Sequence, residues 1–207
     1  MKHLMKSAAL GLALAIGALT PALAQETGAA AAVEPGDFSL GDPNAPVKIV
    51  EYASYTCPHC ADFHASNFKP LKADFIDTGK VHFTLREVYF DRYGLWAAML
   101  ARCGGEMRYF AIHDVLFSKQ REWAGSDDPN VVVGNLKTIG LAAGMDGAVI
   151  DACMKDGATA EALITRFETN MEADGVEGTP TIFVNGTKYG NMAYADLKSI
   201  IEGELAE

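Results

Sequence analysis

Tyr52-Ala53-Ser54-Tyr55-Thr56-Cys57-Pro58-His59-Cys60 is the stretch around which this chain is organised. The apolar run Val47–Tyr52 leads into it and a helical pattern leaves it, so two cysteines arrive where a strand gives way to a helix. Cys57 falls at the expected helix N-cap, where free backbone N–H groups and the positive dipole end stabilise a thiolate. Pro58 takes the first helical position, where a missing N–H costs nothing and a fixed φ suits the helix. Cys60 lies one turn below on the same face, within disulfide reach of Cys57. His59 between them can donate a hydrogen bond or add positive charge beside the sulfur. Each pKa unit by which a thiol falls stabilises its thiolate by about 1.36 kcal/mol, which favours the reduced protein and makes its disulfide more oxidising.

A second signature is Val176-Glu177-Gly178-Thr179-Pro180-Thr181-Ile182-Phe183-Val184, a proline opening an apolar strand. Asn185-Gly186 then signals a two-residue hairpin. Between the two signatures, after a strand over Val81–Val88, a helical pattern runs from Phe90 and carries the chain back through Thr159–Ala173. That stretch is too long for a loop and reads as an all-helical lobe interrupting an α/β domain. On the Val47–Ser54 strand, Glu51 interrupts an apolar face. An edge-strand carboxylate would reach water. A central strand is covered on both sides, so Glu51 is expected to be buried, to resist ionisation and to relay protons during thiol exchange. His64 is expected at the surface, and His113 as a satisfied core histidine.

Cys57-Pro58-His59-Cys60 after an apolar strand, with Gly178-Thr179-Pro180 far downstream, resembles the DsbA family of thioredoxin-fold disulfide oxidoreductases. The resemblance covers nearly all of the chain beyond residue 24. It implies a thioredoxin-like fold over 37–89 and 167–207, interrupted by an inserted helical domain over 90–166. It also implies a cis Thr179–Pro180 peptide set against the cysteines, leaving the Thr179 backbone to pair with an extended substrate. The catalytic set is then Cys57, Cys60, Pro58, His59, Glu51, Thr179 and Pro180, with no cofactor beyond the redox-active disulfide and no bound metal. The family often pairs its acidic residue with a lysine on the next strand; Phe83-Thr84-Leu85-Arg86-Glu87 has none, and Arg86 is the expected substitute. Implied partners are unfolded exported chains and a DsbB-like membrane quinone reductase that restores the disulfide. The protein is expected to act as a monomer.

Residues 1–24 read as a cleaved signal peptide, with a basic start, an apolar run to Thr20 and Ala22-Leu23-Ala24 at the cut. The address is therefore the periplasm, and 25–36 reads as a flexible leader. Cleavage would take two lysines from 17 basic residues and nothing from 27 acidic ones, leaving a formal charge of −12. Nothing in that balance suggests nucleic acid or an anionic membrane surface. Four cysteines allow three pairings, and proximity joins Cys57 to Cys60. Cys103 and Cys153 remain for a bond closing about fifty residues, expected to be structural, with a second redox pair as the alternative. Alternatives for the whole protein are a disulfide reductase or isomerase on the same fold, a holdase, and a metal protein using Cys57, His59, Cys60 and His64.

Overall fold

The computed structural model describes residues 35–206, so the expected signal peptide and most of the leader lie outside the described residues. A five-stranded sheet runs in the order β1-β3-β2-β4-β5. β2 (Val47–Ala53) lies at its centre, parallel to β3 (Val81–Glu87) and antiparallel to β4 (Thr181–Val184). β5 (Thr187–Tyr189) returns from β4 through Asn185 and Gly186, whose φ values of 44° and 86° suit the tight hairpin that dipeptide encodes. β1 (Phe38–Leu40) runs antiparallel to β3. At three residues β1 is too short for an alternating pattern to show in its sequence.

The chain leaves β2 through Cys57 into α1 (Pro58–Phe63). The same helix continues through a wider π-helical turn (His64–Phe68), α2 (Lys69–Leu71) and a second π-helical turn (Lys72–Ile76). Pro70 sits between the two turns and explains the irregularity: it has no N–H to give the preceding turn, and its ring crowds the carbonyl four residues back. Six helices then separate β3 from β4: α3 (Arg92–Cys103), α4 (Glu106–Ser118), α5 (Gln120–Ala124), α6 (Pro129–Ala142), α7 (Gly147–Cys153) and α8 (Gly157–Ala173). Asp91, Asp128, Asp146 and Asp156 cap α3, α6, α7 and α8 through their carboxylates. α9 (Tyr194–Glu204) closes the fold.

The two sheet faces are packed differently. Ile49, Phe83, Leu85, Ile182 and Val184 belong to one large core shared with α1, α4 and α9. Tyr52 and Val88 belong to a smaller cluster with Val176, against which Phe167 and Met171 of α8 pack. The helical lobe is joined to β3 by charge as well. Arg102 of α3 donates to both oxygens of buried Glu87, at 2.9 and 2.5 Å, and Tyr109 donates to the same carboxylate at 2.6 Å. Phe38 of β1 stacks on Tyr109 with ring centroids 4.1 Å apart. Cys103 and Cys153 form the expected disulfide, joining the ends of α3 and α7 with Cα atoms 6.0 Å apart.

Removing the guanidinium would strand a carboxylate that is 5% exposed. Arg102→Leu should therefore cost about 3–5 kcal/mol of stability in a denaturant titration. A loss under about 1 kcal/mol would show that the bridge contributes little beyond its hydrophobic surroundings.

Candidate active site

Cys57 occupies the N-cap of α1 in extended backbone geometry, and Pro58 follows at the first helical position, as their order requires. The Cys57 carbonyl accepts from the N–H groups of Cys60 and Ala61, both at 3.2 Å, while its own N–H donates to Ser54 O at 3.1 Å. The two sulfurs are free thiols in this structure, Cys57 partly exposed and Cys60 buried. His59 is exposed.

The β2–β4 pairing brings the second signature to this point. Tyr52 registers with Thr181, so the end of β2 and the start of β4 lie side by side. Thr179–Pro180 is cis, and the Cys57 thiol donates to Thr179 O at 3.6 Å. Pro180 is buried, and Thr181 Oγ1 braces the turn by donating to Gly178 O at 2.7 Å. Thr179 Oγ1 is buried and has no hydrogen-bond partner among the described residues.

The electrostatics of the site are asymmetric. The Cys57 pKa is lowered to about 5, mainly by the hydrogen bond from the Cys60 thiol; burial opposes this, and Thr179 and the N–H groups of Cys60 and His59 reinforce it. Cys60 is pushed far up, because it serves as donor to the Cys57 thiolate and because it is buried. Glu51 lies in the core at 3% exposure, and burial followed by repulsion from the Cys57 thiolate raises its pKa to about 8. The expected buried, reluctant acid is thus present, and it is coupled to both sulfurs.

Two sequence expectations fail. Arg86 does not pair with Glu51. In the parallel β2–β3 ladder Glu51 registers with Leu85 and Tyr52 with Arg86, so the guanidinium points to the opposite face. There it binds Tyr52 Oη, Asp174 and Asp37. His64 is not at the surface: it is 2% exposed, stacked on Phe68 and Phe117, with Nε2 at 2.9 Å from Asp114. It lies four residues after Cys60 on the helix face that meets α4, so it belongs to the core and not to a ligand set with the cysteines. His113 is a core residue as expected; its Nδ1 lies 3.3 Å from Tyr55 Oη, but its Nε2 has no partner among the described residues. Among the described residues, no cluster of three or more His, Cys, Asp or Glu side chains is placed to hold a metal ion.

The sequence reading missed three residues. Thr56 Oγ1 donates to Asp91 at 2.6 Å and lies 3.1 Å from Ser54 Oγ. Gly94 lets α3 approach: a Cβ there would stand 3.3 Å from both hydroxyl oxygens. Gln120, from the start of α5, donates through Nε2 to Tyr55 O and Cys57 O, both at 2.9 Å. Gln120 sits between Lys119 and Arg121 in a polar stretch, and no local pattern marks it as buried.

A sequence profile described as Thioredoxin matches residues 33–203. The disulfide bond formation protein D of Bacillus subtilis is 30% identical over 184 residues, covering 82% of this chain and 78% of that one. This chain belongs to the thioredoxin family, in its DsbA-like branch. The crystal structure of α-DsbA1 from Wolbachia pipientis superposes with a TM-score of 0.75 at 28% identity, over 82% of this chain and 90% of that one. Rickettsia relatives whose names describe candidate protein-disulfide oxidoreductases are 32–34% identical. They are longer, and this chain spans 62–67% of their length. Cys57 and Cys60, one partly exposed and one buried at the start of α1, stand as a paired thiol site within that family's fold.

Glu51 gives this site a pH signature. Its pKa lies near 8 in the folded protein against about 4.5 for an unperturbed group, so the folded state holds the extra proton between those values. Its contribution is therefore fully present below about pH 4.5 and is lost as pH rises through about 8. Glu51→Gln should leave stability near pH 4.5 almost unchanged and raise it at pH 8 by on the order of 2–4 kcal/mol. Denaturant melts of the reduced protein across that range check this; equal offsets at both pH values would contradict a buried neutral acid.

Proposed function

We propose that this protein is a periplasmic dithiol oxidase that introduces disulfide bonds into exported proteins. The observation that supports the reading most is the thiol of Cys57, partly exposed at a helix N-terminus with its pKa lowered to about 5. A thiolate so stabilised favours the reduced enzyme, which makes its disulfide a donor.

The exchange runs in two steps. A substrate thiolate attacks Cys57 of the oxidised enzyme; the Cys57–Cys60 bond breaks and a mixed disulfide forms. Cys60 departs with the electron pair and, given its raised pKa, takes up a proton. Glu51 is protonated near neutrality and supplies that proton from within the core. The second substrate thiol, once deprotonated, attacks the substrate sulfur of the mixed disulfide, and Cys57 leaves as a thiolate. A leaving thiol of low pKa departs fast. The substrate ends with one disulfide, and the enzyme holds the two electrons.

Re-oxidation then falls to a membrane quinone reductase similar to DsbB. Unfolded exported chains are the substrates, and the enzyme works as a monomer. Export rests on the residue 1–24 signal. Among the described residues, no helix is long and apolar enough to cross a membrane.

Alkylation of the reduced protein against pH should give a midpoint near 5 for Cys57, and none in Cys57→Ser. The oxidised protein should convert reduced, unfolded ribonuclease A to disulfide-bonded forms, and fractionation should place it in the periplasm. A midpoint near 7 with no net oxidation would move the assignment to a reductase or isomerase.

A further inference from the structure

We propose that Gln120 is a positioning residue for Cys57: its amide ties the helical lobe to the two carbonyls flanking Thr56 and thereby sets how strongly the site holds a thiolate. The inference rests on the thiol-exchange reading and extends it to a side chain outside both signatures. The Gln120 side chain is nearly enclosed, at 7% exposure, and both its N–H bonds are committed. One goes to Tyr55 O and one to Cys57 O, each at 2.9 Å. The Cys57 carbonyl already closes the first turn of α1 with Cys60 and Ala61. Tyr55 is itself 1% exposed, so its carbonyl has no ready substitute in water.

The anchorage of Gln120 makes the clamp stiff. α5 is held to α4 by Trp123, which is 1% exposed and donates Nε1 to Leu116 O at 2.7 Å. Asn135 of α6 donates to the carbonyls of Glu122 and Trp123 at 3.3 and 3.4 Å. The amide therefore reaches the cysteine turn from a fixed base. Its two N–H groups place the positive end of a dipole against the Tyr55 and Cys57 carbonyl oxygens, one on either side of Thr56. They also hold the N-cap carbonyl in line with α1, which keeps the helix N–H groups directed at Cys57. Oxidised Cys57 carries no charge, so an effect of this kind acts on the reduced state alone.

Gln120→Met keeps length and removes both donors, and Gln120→Glu keeps shape and removes the NH₂ group. Trp123→Phe loosens α5 without touching the amide. For each, the alkylation midpoint of Cys57 and the equilibrium of the enzyme disulfide with two glutathione thiols, giving enzyme dithiol and glutathione disulfide, are measured beside thermal stability. Gln120→Met should raise the midpoint by about half to one unit and shift the equilibrium about three- to tenfold toward the oxidised enzyme. Trp123→Phe should lower stability and move both by less than Gln120→Met does. Unchanged values in both Gln120 variants, or equal shifts in Trp123→Phe, would overturn the proposal. So would failure of both Gln120 variants to fold, since the residue would then be purely structural. Wild-type protein that does not exchange with glutathione would instead refute the functional reading itself.

Discussion

The pairing of β2 with β4 is the constraint on which the site depends. β2 ends at Ala53 and releases the chain toward Cys57; β4 begins at Thr181, just after Pro180. Because Tyr52 registers with Thr181, both departures occur at the same end of the sheet. A helix N-terminus and a Thr-Pro turn, more than 120 residues apart in sequence, then meet with Cys57 Sγ 3.6 Å from Thr179 O. A slip of one residue in this antiparallel pair would send Glu51 and Ile182 to the wrong face and empty the core beneath Cys60. Burial of Ile49, Ile182 and Val184 holds the register.

The chemistry follows from a gradient of burial across a single helical turn. Cys57 keeps access to solvent while collecting hydrogen bonds to its charged form, and Cys60 is fully enclosed and gives one. Two identical side chains three residues apart thereby acquire opposite tendencies, one to ionise and one to stay protonated. Glu51 adds a third group whose burial outweighs any partner. Its carboxyl is kept neutral by the same core that stabilises the fold, so the site holds its proton at a cost in stability that grows with pH. Active sites are commonly where such tension is tolerated.

The parts legible in the sequence were those with local signatures. Cys57-Pro58-His59-Cys60 encodes its own helix start and Asn185-Gly186 its own hairpin. The misreadings all concern partners chosen by tertiary packing. Arg86 was expected to partner Glu51 as the basic residue standing in for the family's lysine on the next strand, but the register sets it opposite Tyr52 and so on the other face. His64 looked exposed until α4 covered it. β1 is a strand because Phe38 stacks on Tyr109 and the side of β3 away from β2 accepts a partner, and neither condition is visible in Phe38-Ser39-Leu40.

The helical lobe is more than a cover laid over a finished sheet. Leu85 of β3, Leu100 of α3, Leu116 of α4 and Ile150 of α7 share one continuous apolar core with Cys60 and Phe63 of α1. Polar ties cross the same boundary at the active-site turn, from Asp91 to Thr56 and from Gln120 to Tyr55 and Cys57. Interiors packed at crystal-like density transmit displacement instead of absorbing it. A lobe joined by both means cannot shift without disturbing the turn that carries the nucleophile. The Cys57 environment is therefore a property of the whole described chain, and variation within the lobe is a physical route to a different thiol reactivity behind an unchanged Cys-Pro-His-Cys.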